Sequence, residues 1–288
     1  MPEKPLVTFS AFADEISMDL LEEMACLAQN GIRHIELRQV YSKKVIDLSD
    51  AECRDVRKSM KDHGFSLSSI GSHIGKVDVR APFEPHLEDY KRILDRAVFF
   101  ESPFVRVFSY FMPKDEDASA YRSAVLDRMA KKADLALSAG VVLLHENEKE
   151  IFGDVPERCR DILATVAHPN LRAAFDPANF VQVGVDPFRR AWPILKEFVV
   201  YFHIKDARKG TGDVVKAGEG DGEFREILTE ARDMGYRGFA SMEPHLLVAG
   251  ASTGFTGAEK FGEAVRAIKM ILCELDFPYV EAPIPGKE

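Results

Sequence analysis

Leu137-Ser138-Ala139-Gly140-Val141-Val142-Leu143-Leu144-His145-Glu146-Asn147 contains the unit from which the whole chain is built. A helical pattern runs out at a glycine, which can take the left-handed conformation after a helix without a Cβ penalty, and an unbroken apolar run follows at once. A run that is apolar at successive positions belongs to a strand covered on both faces. It ends on ionisable groups. The same stop-and-start recurs at Asn30-Gly31, His63-Gly64 and Met234-Gly235.

Extending this reading predicts strands at 7–13, 34–37, 66–70, 104–108, 141–145, 172–175, 199–204 and 239–242. Amphipathic stretches alternate with them at 18–29, 50–62, 85–100, 118–138, 156–167, 187–197, 222–234 and 258–275. Ser17 is a candidate cap for the first helix, and Ser49-Asp50-Ala51-Glu52 is a capping box for the second. Pro156 and Pro187 suit first-turn positions, where the missing N–H costs nothing. Eight units in 288 residues average about 36 each, the length of a right-handed βαβ crossover. The pattern predicts an α/β fold, a closed (β/α)8 TIM barrel forming a single domain over 1–288, with 277–288 as an extended C-terminal extension on the surface. An open doubly wound sheet could use the same elements, but no G-x-G-x-x-G follows the first strand. The glycine-rich stretch 210–222 lacks the Lys-Ser/Thr ending of a phosphate loop and is predicted to be a long active-site connection.

Hydrophobic content of 46% and charged content of 30% describe an ordinary globular chain with a sizeable core. A net charge of −9 repels polyanions, so nucleic acid is disfavoured as a partner. No run approaches 18 apolar residues, and the amino terminus has neither a basic nor an apolar leader region, so no membrane association and a cytoplasmic location are expected. Cys26, Cys53, Cys159 and Cys273 are scattered and read as reduced thiols.

In a barrel of this kind active sites collect at the carboxyl ends of the strands. Strand five ends in His145-Glu146-Asn147, strand six in Phe175-Asp176-Pro177, strand seven in His203-Ile204-Lys205-Asp206 and strand eight in Met242-Glu243-Pro244-His245. The spacings between Glu146, Asp176, His203 and Glu243 are each close to one unit, so the four fall on neighbouring strands. Three carboxylates crowded into a partly dry barrel mouth repel one another unless a cation joins them. With an imidazole they suit one divalent ion of the Mn²⁺, Mg²⁺, Co²⁺ or Zn²⁺ type. One such carboxylate alone reads as a helix cap or ion-pair partner; four in register do not.

These motifs, with Phe12-Ala13-Asp14-Glu15 in the first unit and Ala178-Asn179-Phe180 after strand six, resemble the xylose-isomerase-like TIM-barrel superfamily, specifically its sugar phosphate isomerase/epimerase group. The resemblance implies a catalytic metal held by Glu146, Asp176, His203 and Glu243. It further implies that Glu146 and Glu243 act as an acid/base pair on opposite faces of a keto-sugar, through a metal-stabilised enediolate. The ketose 3-epimerase branch carries a histidine where this chain has Asn179, and an amide binds a hydroxyl but shuttles no proton. The endonuclease IV type of the superfamily needs several more histidines than this chain offers.

Glu36, His73, Asn179, Lys205 and Arg208 are candidate substrate-binding residues, with Arg38, Lys76 and Arg106 as further rim groups that could equally form ion pairs among themselves. Phe9 and Phe12 read either as an apolar wall for a sugar or as core. His145 and His34 read as hydrogen-bonded core histidines. The expected activity is a metal-dependent sugar isomerase or epimerase with a small-molecule sugar or sugar derivative as partner; a homo-oligomer stays open. The alternatives are a dehydratase of the inosose dehydratase type, with Lys205, His73 or His245 as added acid, and a non-catalytic sugar-binding barrel.

Overall fold

Gly31, Gly64, Gly140 and Gly235 all adopt positive φ, between 71° and 81°, and each is followed within three residues by a strand. The computed structural model describes residues 4–250 and 254–284. Eight parallel strands, β1 (Leu6–Ala11), β2 (His34–Leu37), β3 (Ser66–Ile70), β4 (Phe104–Val107), β5 (Val142–Glu146), β6 (Leu171–Phe175), β7 (Val199–Ile204) and β8 (Arg237–Met242), pair in sequence order. The barrel closes where β1 pairs with β8, from Leu6 opposite Arg237 to Ala11 opposite Met242.

The helices are α1 (Leu20–Gln29), α2 (Asp50–Asp62), α3 (Phe83–Phe99), α4 (Arg122–Ser138), α5 (Pro156–Val166), α6 (Pro177–Gln182), α7 (Trp192–Leu195), α8 (Phe224–Asp233) and α9 (Ala258–Glu274). The capping box at Ser49 and Glu52 is formed, and Pro156 occupies the first turn of α5. Three expectations need correction. The first helix is capped by Asp19, whose carboxylate accepts from Leu21 N and Glu22 N, and not by Ser17. The segment 187–197 is a π-helical turn running into the short α7. The extra helix α6 was legible in Asp176-Pro177, a cap followed by a first-turn proline, yet that stretch was read only as a strand end.

The C-terminal extension is more than surface chain. Tyr279–Val280 forms a further strand, β9, parallel to β1 at Val7 and Thr8. Its place has a physical reason: β1 and β2 pair only at Ala11 opposite Ile35, so the lower half of β1 is left with open backbone groups. Val7 N donates to Pro278 O at 2.9 Å and fills that gap. Residues 285–288 of the extension lie outside the described residues. The four cysteines are free thiols, three of them buried.

The barrel interior carries a polar ladder that leads to the rim. Ser10 and Ser68 share a hydrogen bond, Ser68 meets the Tyr201 hydroxyl at 2.8 Å, and that hydroxyl donates to Glu36 at 2.9 Å. Small serines on β1 and β3 leave the room that the Tyr201 ring occupies. Outside β6 and β7, Phe175, Phe202 and Trp192 pack as a cluster, with Trp192 stacked on Phe202 at 5.8 Å.

One buried acid outside the rim makes a testable mark on stability. Glu23 on α1 is 1% exposed, its Oε1 makes no hydrogen bond among the described residues, and burial, reinforced by Asp14 and Asp19, pushes its carboxyl up to about 9. A raised native pKa favours folding below the unfolded value and loses that benefit as pH climbs through the native one. Glu23→Gln is therefore expected to match the parent near pH 4 and to exceed it by about 1–3 kcal/mol at pH 9, read by urea unfolding at both. A gap that does not widen with pH contradicts this.

Candidate metal centre

Each of the four rim residues is aimed by its own local structure. Glu146 ends β5. Asp176 follows β6 as the cap of α6: one oxygen accepts from Asn179 N at 3.0 Å, leaving the other for the barrel mouth. Asn147 ties the two strand ends together, accepting from Asp176 N and donating to Asp176 O, both at 2.9 Å. His203 on β7 is clamped through Nε2, 3.3 Å from Glu36 Oε2, with Phe12 edge-on to the ring at 5.4 Å. A ring fixed through one nitrogen by a carboxylate presents the other, and Nδ1 faces the mouth.

Around that Nδ1 stand Glu146 Oε1 at 3.1 Å, Glu243 Oε2 at 3.7 Å and Asp176 Oδ2 at 4.0 Å. One donor atom from each of the four residues lies within 4.8 Å of the others, and all four residues are buried. Bonds of roughly 2.0–2.2 Å to a central ion allow donors to stand up to about 4.0–4.4 Å apart, which covers the 3.1–4.0 Å separations from His203 Nδ1. Among the described residues Glu146 Oε2, Asp176 Oδ2 and His203 Nδ1 are buried without a hydrogen bond and face neighbouring charges. Buried polar atoms left in that state are uncommon, and here they belong to three of the four residues facing one point. The donor set fits one divalent ion.

The electrostatics show what such an ion would share the space with. Lys205 Nζ sits 2.7 Å from Asp176 Oδ2 and 3.2 Å from Glu243 Oε2; burial disfavours its charge, but these carboxylates outweigh that and hold its pKa well above the ordinary value. Arg106 lies 3.2 Å from Glu146 and 3.8 Å from Glu243, and Arg38 bridges Asp14 at 2.8 Å to Glu243 at 3.3 Å. Phe12 lies under both guanidiniums, at 4.6 and 4.8 Å. Burial raises Asp176 to about 6, whereas for Glu146 the burial penalty is exceeded by the pull of His203 and Arg106.

The mouth opens into a cavity of about 230 Å³ whose lining includes Arg38, Arg106, Phe108, Asn179, Lys205 and His245. Asn179, which donates to Glu146 Oε1 at 3.2 Å, and Lys205 both line the cavity. Three expected substrate contacts are elsewhere. Glu36 is fully buried behind His203 and orients that ring instead of lining the cavity. His73 lines a neighbouring cleft with Ser72 and Ile74, and Arg208 is exposed on the loop after β7. Phe108, not Phe9 or Phe12, is the aromatic wall, held between Lys76 at 4.4 Å and Arg106 at 4.9 Å.

Glu148, Lys149 and Gln182 also line the cavity and went unread, although Glu148 stands only two residues beyond Glu146. The glycine-rich connection is placed as expected: Gly212 and Val214 line the cavity. Asp206 anchors it by accepting from Gly218 N, Gly220 N and Gly222 N at 2.8–3.1 Å. His145 is buried as expected, but its Nε2 has no hydrogen bond among the described residues, and burial with Lys132 nearby lowers it to about 3. His34 packs edge-on to Phe239 at 5.1 Å.

A family model described as xylose isomerase-like TIM barrel matches residues 24–269. The chain belongs to the xylose isomerase-like TIM-barrel family. Among relatives within reach of sequence, the 3-dehydroshikimate dehydratase of Bacillus anthracis is 22% identical over 233 residues, covering 75% of this chain and 81% of that protein. Among solved structures, a D-tagatose 3-epimerase-like protein superposes with a TM-score of 0.74 at 16% identity, covering 94% of this chain and 98% of that one. A xylose isomerase-like TIM-barrel protein from Mycobacterium smegmatis in complex with magnesium superposes with a TM-score of 0.70 at 18% identity, over 94% and 96%. Likeness at these identities shows the xylose isomerase-like fold alone. No helix of the described residues is long and apolar enough to cross a membrane.

Proposed function

We propose that this xylose isomerase-like barrel is a divalent-metal-dependent sugar isomerase or epimerase acting on a keto-sugar or related polyol, with Glu146 and Glu243 as its acid/base pair. The observation that carries the reading is the convergence of these two glutamates, from strands three places apart around the barrel, on the same buried imidazole nitrogen. A divalent ion held by Glu146, Asp176, His203 and Glu243 would supply Lewis-acid stabilisation of negative charge on the substrate's oxygens.

The remaining work falls to the chain's own residues. One glutamate removes the proton next to the ketone and the other returns one, on the opposite face for epimerisation or to the neighbouring carbon for isomerisation. Arg106 stands between the two carboxylates, where it favours whichever is ionised. Lys205 and Asn179 donate from the same wall and would orient substrate hydroxyls. Phe108 offers an apolar face to a sugar ring.

The test is proton exchange in D₂O with D-fructose, D-tagatose and D-allulose, followed by NMR. Mn²⁺-loaded protein is expected to exchange the proton beside the ketone of at least one, and chelation to abolish it. Full exchange after chelation, or none with Mn²⁺, contradicts the reading.

A dehydratase is the second reading. It is favoured by two cationic donors in the cavity, Lys205 and His245, either of which could protonate a leaving hydroxyl, and by the dehydratase relative. Loss of water from 3-dehydroshikimate without exchange on the ketoses would favour it.

A further inference from the structure

His245 sits three residues beyond β8 in a conformation that its sequence does not explain. It is not a glycine, yet its φ is +48°, a left-handed backbone that residues with a side chain seldom adopt. Nor is the ring's position a default of packing. A Cβ on Gly254 would lie 1.7 Å from His245 Cδ2, so the chain at 254 gives up a side chain where the imidazole lies. Backbone strain and a vacated side chain together place this ring in the cavity wall.

The group that holds it there is Glu15, on the short helical turn after β1. One Glu15 oxygen accepts from His245 N at 2.8 Å and from the Thr256 hydroxyl at 2.7 Å. The other lies 3.1 Å from His245 Nε2. The Glu15 carbonyl takes Thr256 N and Gly257 N at 2.8 and 2.9 Å, so the same residue fastens both ends of the connection carrying Ala249 and Gly250, which also line the cavity. Glu15 is fully buried and belongs to the Phe12-Ala13-Asp14-Glu15 motif, to which the reaction described above gives no task.

The imidazole meets carboxylates at one nitrogen only, as a charge contact that closes no hydrogen bond among the described residues. Nε2 faces Glu15 and, at 3.5 Å, the Oε1 of Glu243, while Nδ1 has no partner among the described residues. A carboxylate that fixes one ring nitrogen leaves the other presented in a defined orientation. Donor atoms of Glu15, Glu243 and His245 also lie within 4.8 Å of one another, which would admit a second cation. The Arg38 guanidinium already stands there, 3.3 Å from Glu243 Oε1 and 4.0 Å from Glu15 Oε1, and supplies that positive charge.

We propose that His245 is a substrate-contacting residue of this site, hydrogen-bonding a substrate oxygen through Nδ1, and that Glu15 is the residue that positions it. The proposal rests on the reading of the barrel mouth as a metal-dependent site for a hydroxyketone. It gives that site a polar contact after β8, next to Glu243, in addition to Lys205 and Asn179 in the same cavity lining.

The test compares wild type, His245→Phe, His245→Asn and Glu15→Gln in Mn²⁺, using bound metal per chain and the KM and kcat of proton exchange on the three ketoses in D₂O. Phenylalanine keeps the ring and removes both nitrogens; asparagine tolerates the left-handed backbone and puts a polar atom near the place of Nδ1. His245→Phe is expected to raise KM at least tenfold with one Mn²⁺ still bound, His245→Asn to recover part of that loss, and Glu15→Gln to raise KM in the same direction. Should His245→Phe fail to fold, the ordering of Asn and wild type, with Glu15→Gln, decides alone. Unchanged KM in His245→Phe, lost metal in that variant, no advantage of Asn over Phe, or two Mn²⁺ per wild-type chain each overturns the assignment while leaving the proposed function standing. Wild type that exchanges no ketose overturns both.

Discussion

Glu243→Gln, saturated with Mn²⁺, is expected to exchange and interconvert ketoses about 10²–10⁴-fold more slowly than the parent, the range that general acid–base catalysis supplies. The amide keeps the shape and a ligating oxygen but can neither accept nor return a proton. Four side chains that carry or can carry positive charge face this carboxylate: Lys205 at 3.2 Å, Arg38 at 3.3 Å, His245, which keeps Glu15, at 3.5 Å, and Arg106 at 3.8 Å. Arg38 retains Asp14, Lys205 retains Asp176 and Arg106 retains Glu146, so neutralising Glu243 leaves no cation stranded and the fold should survive. The slow step should therefore show in kcat, not in metal content. Glu146→Gln should be as slow. A Glu243→Gln variant with the parental rate would remove this residue from the acid/base pair.

Mn²⁺ is expected to raise the melting temperature of chelated protein by about 5–10 °C at a hundredfold excess over its dissociation constant. Binding to the native state alone contributes about 2.7 kcal/mol at that excess. For a chain of this size each kcal/mol is roughly 2–4 °C. The gain should fade below about pH 6, because an ion requires Asp176 ionised and burial holds that carboxyl near 6; protons and metal compete for the same oxygen. Asp176→Asn should show no Mn²⁺ shift at all. Equal melting temperatures with and without Mn²⁺ at neutral pH would contradict the site.

Which parts of this molecule could be read from sequence follows from the physics of each part. Strand ends were legible because a strand buried on both faces is mostly apolar and its polar groups gather at the rim; Glu146, Asp176, His203 and Glu243 all stand within one residue of the ends of their strands, although His145, Arg172 and Arg237 are ionisable groups earlier on three of those strands. Glu36 fails the same rule for a reason internal to the barrel. It lies one residue short of the end of β2 and points to the interior, where Tyr201 and His203 need an acceptor; Arg38, past the strand end, is the one that reaches the mouth. The rule locates a rim and does not tell which of two neighbouring residues faces into it.

Loop residues were less legible still. His73 and Arg208 follow their strands by three and four residues, and the turn between decides their direction. That direction comes from contacts distant in sequence, such as Asp206 gathering three glycine N–H groups from 218 to 222. The role of Glu15 was hidden for the same reason: its partners His245 and Thr256 lie more than two hundred residues away. The strand β9 was missed because Pro278-Tyr279-Val280 has no alternation; it pairs where β2 leaves the lower half of β1 open.

The most direct test of the account is an anomalous difference map from crystals grown with Mn²⁺. It should show one strong peak within bonding distance of Glu146, Asp176, His203 and Glu243 together, with Arg106 and Lys205 drawn aside from the carboxylates they now neutralise. A map with no peak at the barrel mouth, or with a peak that leaves any two of these four side chains turned away from it, would contradict the claim on which the proposed chemistry stands.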